Sequence, residues 1–469
     1  METFAVIIGK ASTYLYTYVL IILLLAVGLF FTFRTKFVQF RLLRESVRLL
    51  GEPKDDEKSI SSFQALMLST ASRVGVGNIA GVSVAICLGG AGAVFWMWLI
   101  AIIGSASAFI ESTLAQIYKR RDDDGNSYGG PAYYIQGALN RRPLGVVFAI
   151  MLILTYMGGF NMVASFNLTT AFDTYSFYNP KTTPAIVGAI IAIAAGVCIF
   201  GGGSRLSKVT SVLVPVMATT YIAFALIIMI LHADLIPAMF VNIFSNAFDF
   251  ESAFGGFTGS CIMLGIKRGL YSNEAGVGSA PNAAASASVS HPVKQGLVQM
   301  LSVYIDTIVI CSATAFLLLC SGVTPDSELK GVPFVQAAMS NTFGKFGTIF
   351  VTFALFCFAF TTLLGNYFYA EQNLKYLTHG STGKTLLTVF RALAVVIIFV
   401  GSQLEFGIAW DTADVLMGLM ALMNLPIICF LSKPAIRCLN DYIAQKKRGE
   451  QPVFKAADID LRHPTDYWK

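Results

Sequence analysis

The 469-residue chain is 55% hydrophobic and only 13% charged, with a mean hydropathy of +0.66. Apolar runs of about 20 residues, the length that crosses a hydrocarbon core of roughly 30 Å, recur along it, which excludes a soluble enzyme or binding module and predicts an all-α polytopic membrane protein. A net charge of +6 does not argue for a nucleic-acid partner, because the basic residues flank the apolar runs, where membrane topology accounts for them.

Eleven spans are predicted, near 14–33, 64–88, 93–118, 143–172, 184–201, 211–231, 250–268, 292–321, 346–377, 385–401 and 407–432. The first lacks a positive leading region and an Ala-x-Ala cleavage pattern, so it is expected to stay in the membrane rather than act as a removable signal. With the N-terminus outside, the loops after odd-numbered spans and the tail from Lys433 hold 27 of the 33 basic residues. Only Lys10, Lys181, Lys330 and Lys345 fall on the other side, so the positive-inside rule sets the C-terminus in the cytoplasm. After the first span, FVQFRLLRESVRLL from Phe37 sets Arg41, Arg44 and Arg48 on one helical face and Phe40, Leu43, Val47 and Leu50 on the opposite one. That pattern predicts a helix lying in the cytoplasmic interface, serving to fix topology.

The second span contains LSTASRVGVGNIAG, from Leu68 to Gly81. Glycines at 75 and 77 inside an apolar run predict one membrane helix broken in its middle, and lipid tolerates unpaired backbone only where it lines a cavity or binds something. The half-helix that starts near Gly77 offers free N–H groups to a carboxylate; the one that ends near Val74 offers carbonyls to an ammonium or to Na⁺. A second glycine-rich interruption, AFGGFTGSCIMLGIKRGLYSNEAGVGSAP from Ala253 to Pro281, with Gly256, Thr258 and Gly259 near its start, is expected in the seventh span, so residues 63–231 and 232–432 read as two five-helix halves. Residues 1–62 supply an extra N-terminal helix and 433–469 a cytoplasmic tail. Because five is odd, the second half enters from the opposite side, and an inverted repeat whose halves each open on a broken helix points to a secondary transporter with its site at the midplane.

Charges at membrane depth are costly and mark pairing or function. Arg73, Glu111 and Asp306 are such charges, and the expected arrangement is an ion pair of Arg73 with Glu111 or Asp306; cation coupling through one of the carboxylates is the alternative. Arg391 lies near the end of its span, where snorkelling accounts for it. The adjacent hydroxyls of Thr361 and Thr362 would ordinarily bond a carbonyl one turn earlier. The chain has no HExxH and no GxSxG, its TGKT lacks the glycine of a phosphate-binding loop, and neither its eight cysteines nor its four histidines have ligand spacing, so no catalytic residue and no cofactor is expected.

RVGVGNIAG (73–81), GGAGAVFWMW (89–98), YGGPAYYI (128–135), RGLYSNEAGVGSAPNAAA (268–285) and HPVKQGLVQMLSVYIDT (291–307) resemble the alanine or glycine:cation symporter family, over nearly the whole chain. The resemblance implies a fold of the LeuT type, a 5+5 inverted repeat with one extra N-terminal helix, in the plasma (inner) membrane of a prokaryote. It implies Na⁺ and a small neutral amino acid as partners. Residue by residue, it implies that the Val76 and Gly77 amides hold the substrate carboxylate and that Ser72 with the Arg73 carbonyl faces the ammonium. Carbonyls of Ala71 and Val74 with the hydroxyls of Thr361 and Thr362 would take Na⁺, and Asn78 would brace the break or serve a second ion site. Two departures fall where selectivity is expected: Ala164 stands where members commonly carry Gln, and Asn366 where many carry Trp. Both leave room, and Asn161 and Asn366 bring polar groups, so alanine or glycine is the default substrate and serine or glutamine the alternative. Proton coupling in the same fold is the other alternative.

Overall fold

The computed structural model describes residues 2–52, 60–121, 127–249, 260–459, 461 and 465–468. Among them nine helices are long and apolar enough to cross a membrane, or ten when one bent pair counts as a single span. In chain order the principal elements are α1 (Thr3–Arg34), the bent pair α2 (Ser62–Arg73) and α3 (Gly77–Gly89), α4 (Gly92–Ile117), α5 (Arg142–Thr170), α6 (Thr183–Phe200) and α7 (Gly202–Leu231). There follow α8 (Cys261–Asn273), α9 (Ala280–Ala285), α10 (Pro292–Leu319), α11 (Lys345–Leu377), α12 (Lys384–Gly401) and α13 (Phe406–Lys447). A two-stranded antiparallel hairpin, β1 (Arg120–Arg121) with β2 (Ser127–Tyr128), follows α4.

The helices sort into two packed groups. The two broken pairs lie with α4 and α10, and α4 is the hub on which α1, α8 and α10 all pack. The second group joins α5, α6, α11 and α12, while α11 also runs along α2 and so links the groups beside the first break. Polar residues concentrate inside this assembly and apolar ones outside: Ile22, Ile193, Ile230, Phe353 and Phe430 are exposed, whereas Arg73, Glu111, Glu274 and Asp306 are buried. That inversion of the soluble pattern is what a lipid solvent selects.

Several expectations need correction at the boundaries. The first span begins at residue 3 and the last continues as helix to Lys447. The seventh does not end at 268. Lys267 and Arg268, counted above among the 27 basic residues on the cytoplasmic side, lie inside α8 and are buried, paired with Asp414 of α13 at 2.8 Å from Lys267 Nζ and 2.7 Å from Arg268 Nη2, with Asp411 3.6 Å from Lys267. Gly256, Thr258 and Gly259, and with them the start of that span, lie outside the described residues.

The interfacial segment is two short helices, Val38–Arg41 and Leu43–Arg48, that leave Phe37, Phe40 and Val47 exposed. It is tied to the end of α13 through Glu45, which accepts from Tyr442 Oη at 2.6 Å and lies 3.2 Å from Lys446 Nζ. The hydrogen bond from Arg48, with those from Tyr442 and Lys446, holds the Glu45 carboxyl down at about 2. Among the described residues, wide, π-helical turns occur in four helices, at Leu15–Leu20, Gly77–Gly81, Leu154–Phe160 and Tyr304–Cys311. Turns of this kind gather at functional sites.

Candidate substrate and cation site

α2 stops at Arg73. Val74 is extended (φ −73°, ψ 93°), α3 resumes at Gly77, and the two halves are bent by 54°. Asn78 sets this geometry: its Oδ1 accepts from the Gly75 N–H at 2.9 Å, and its Nδ2 donates to Asp306 Oδ1 at 2.7 Å and to Ser272 Oγ at 3.1 Å. One side chain thus stitches the break to itself, to α8 and to α10. As the first residues of a new helix, Val76 and Gly77 have no intrahelical acceptor for their amides.

The second break runs from Glu274 to Ser279, between α8 and α9. Glu274 is left-handed (φ 53°), and Gly276 and Gly278 take φ of 83° and 94°, which side chains rarely adopt. A Cβ at Gly278 would also lie 2.7 Å from the Phe148 ring, so the backbone can pass only without one. Glu111 holds this break. Its Oε1 accepts from the Gly276 N–H at 3.2 Å and its Oε2 from Asn424 Nδ2 at 2.8 Å, and Asn424 also donates to the Gly276 carbonyl.

Arg73 therefore does not pair as expected. Glu111 is engaged with the second break and Asp306 with Asn78, and the carboxylate facing the guanidinium is that of Glu274, at 3.9 Å. Ser279 Oγ donates to the same Glu274 oxygen at 2.5 Å, and Arg73 Nη1 donates to Ser302 Oγ at 2.5 Å. Arg73 Nε and Nη2 have no hydrogen-bond partner among the described residues. The sequence carried a signal for this pairing: R-V-G-V-G-N at 73–78 is echoed by E-A-G-V-G-S at 274–279, the leading charge inverted. The two equivalent charged residues meet across the space between the breaks.

That space is a small cavity of about 10 Å³, room for about one water molecule, lined by Ser72, Arg73, Val76, Gly77, Phe160, Ala164, Tyr271, Glu274 and Thr362. Six of these are among the residues singled out from sequence. Phe160, Tyr271 and Glu274 are additions, and the aromatic pair, with ring centroids 4.7 Å apart, continues to Trp410 at 4.9 Å from Tyr271. Asn366 and Asn161 stand behind Ser72 in one polar chain. Ser72 Oγ donates to Asn366 Oδ1 at 2.6 Å, and Asn366 Nδ2 to Asn161 Oδ1 at 3.0 Å; Asn161 Nδ2 has no partner among the described residues.

The two threonines differ. Thr361 Oγ1 donates to the Phe358 carbonyl of its own helix at 2.9 Å. Thr362 Oγ1 is buried without a partner among the described residues and faces the unwound turn, where a Cβ on Gly75 would collide with it. Ala71, in the last turn of α2, and Val74, at the break, are both buried. Among the described residues no three His, Cys, Asp or Glu side chains cluster as metal ligands, and a hydroxyl with backbone carbonyls is a donor set for a hard monovalent cation instead.

The model of the sodium:alanine symporter family matches residues 1–456. The chain is 45% identical to the probable sodium/glutamine symporter GlnT of Bacillus subtilis, over 98% of this chain and 95% of that one. It is 44% identical to the amino-acid carrier protein AlsT of the same organism (99% and 97%) and 37% identical to the sodium/alanine symporter AgcS of Methanococcus maripaludis (92% and 95%). Among solved structures it resembles MhsT in complex with L-phenylalanine, with a TM-score of 0.56 at 14% identity over 86% of this chain and 92% of that chain, which places the fold in the LeuT class.

Proposed function

The chain belongs to the sodium:alanine symporter family and is an amino-acid:cation symporter, and from that premise we propose that it uses inward Na⁺ flow to import a small neutral amino acid by alternating access, with residues 63–231 and 232–432 as inverted halves. One observation carries the reading: the cavity lies between two helix breaks that supply opposite polarities. The Val76 and Gly77 amides and the unpaired nitrogens of Arg73 suit a carboxylate; Glu274 and Ser72 suit an ammonium. A zwitterion satisfies both at once. Na⁺ is assigned to the carbonyls of Ala71 and Val74 with Thr362, and Thr361 after rotation of its hydroxyl. Asn78 and Glu111 act as braces, since each spends its side-chain hydrogen bonds on holding a break or a neighbour, whereas Asp306 braces Asn78 through Oδ1 and keeps a buried Oδ2 without a partner among the described residues, which suits cation coupling. The membrane is a prokaryotic plasma membrane, with the N-terminus outside.

Alanine and glycine are the default substrates; the cavity as it stands has room for about one water molecule, so either enters only when the two breaks move apart during alternating access. A larger neutral side chain such as that of serine or glutamine is favoured by a separate observation: Ala164 and Asn366 leave one wall short, and Asn161 Nδ2 behind it has a free donor. Uptake of an amino-acid panel into proteoliposomes, with Na⁺ or choline outside at constant pH, tests both levels. Uptake that persists in choline, or follows a pH gradient alone, refutes sodium coupling. Asn366→Trp should abolish glutamine uptake and spare alanine if the short wall sets the choice.

A further inference from the structure

The C-terminal residues take no part in the site, yet they are docked across the end of the molecule toward which α9 points. Trp468 Nε1 donates to the Gln116 carbonyl at 2.8 Å, and the Gln116 side chain donates to the Ala284 and Ala287 carbonyls at 2.5 and 2.9 Å, just where α9 ends. Lys119, fully buried, donates to that Ala287 carbonyl at 3.0 Å while its ammonium sits 3.9 Å from the centre of the Tyr467 ring and 5.0 Å from that of Trp468. Arg121 covers Tyr467 at 4.6 Å, and Arg120 pairs with Asp466 at 3.1 Å. Upstream, Phe454 N–H donates to the Ser290 carbonyl at 2.9 Å, and the Phe454 ring packs against Trp468, centroids 5.2 Å apart.

These contacts share a geometry. Gln116 is in the last turn of α4 and Lys119 lies two residues beyond its end, whereas Ala284, Ala287 and Ser290 belong to α9 and the turn after it. The tail closes over the seam between them. α9 is the inner half of the second broken helix, the half that continues from Glu274 at the cavity, so any opening of the cavity toward this end has to part α9 from α4. We propose that residues 466–468 are a releasable latch on the inner gate, held in a docking groove of cations and carbonyls on this chain, and that release of the latch limits turnover. The rings are gripped through their faces and a single N–H, and Asp466 is largely exposed, so undocking breaks no buried helix packing. The inference rests on the alternating-access reading above, but docking itself is measurable without transport.

The test compares the full chain with a variant lacking residues 451–469 and with the double substitution Tyr467→Ala, Trp468→Ala, which keeps the chain's length if the deletion fails to fold. Hydrogen exchange of the 280–288 amides, measured on protein that retains substrate binding, should quicken at least tenfold in both variants. A labelled synthetic peptide of residues 451–469 should bind the truncated protein and restore slow exchange. In proteoliposomes the variants should turn over at least twofold faster with unchanged half-saturation. Unchanged exchange, failure of the peptide to bind, or a turnover equal to or below that of the full chain would each overturn the latch. Loss of transport in the full chain as well would count against the symport reading instead, and exchange and peptide binding would still decide the latch.

Discussion

Thr361 and Thr362 are neighbours in sequence with the same hydroxyl, and nothing in spacing separates them. The structure does, because Thr361 Oγ1 has a carbonyl of its own helix and Thr362 Oγ1 has none. A buried polar atom left unpaired costs about 1–3 kcal/mol, which a bound cation would recover. Thr362→Val should therefore stabilise the Na⁺-free protein by about 1 kcal/mol while weakening Na⁺ binding at least tenfold, which is about 1.4 kcal/mol. Thermal unfolding in choline, paired with Na⁺ titration, reads both effects, and Thr361→Val should show the second more weakly and the first not at all. Glu274 shows the limit of reading residues singly. Its charge is plain in the sequence, but its facing Arg73 follows only from the fold that apposes the two breaks.

Among the elements, the first break was legible because Gly75 and Gly77 stand between Arg73 and Asn78 in an apolar run, a polar setting that helix packing, the other common use of membrane glycines, does not call for. The second was read within Ala253–Pro281 and matched to the first at residues 255–259, which lie outside the described residues; among those described the backbone unwinds at 274–279, inside the same stretch. Glycine content alone could not rank the two stretches. The charge-apolar-Gly-Val-Gly pattern could have, since it repeats the first break. The same helix misled the charge count: Lys267 and Arg268 looked like loop residues, because the partner that makes their burial tolerable, Asp414, is 146 residues further on from Arg268. Asp414→Asn should leave two buried cations undercompensated, and the loss of a buried partner costs about 3–5 kcal/mol. A large drop in melting temperature of the purified protein is the expected result. Asp411, farther from Lys267 at 3.6 Å and partly exposed, should cost under about 1 kcal/mol when changed to Asn.

For the whole molecule, hydropathy carried the polytopic architecture, because a bilayer imposes span length on any sequence that crosses it. The grouping of helices around α4 was not legible, since it depends on which small residues let backbones approach. Gly265 and Gly269 of α8, for example, lie against the Ala93 and Met97 backbone of α4. With both ligands held at one pair of breaks, Na⁺ and substrate should raise each other's affinity by the same factor, expected within about 5–150-fold. Titrating each in the presence and absence of the other checks the equality, and a one-sided effect would separate the two sites. The wide turns at Gly77–Gly81, Leu154–Phe160 and Tyr304–Cys311 carry a further consequence. Each holds about one residue more than an α-helical path over the same rise, and one residue is about 100° of helical phase. Removing a single residue from any of the three would swing everything on one side of it, Asn78, Asn161 or Asp306 included, off the face it now presents. The spacing of the chain through these turns is thus as much a part of the site as the side chains that line it.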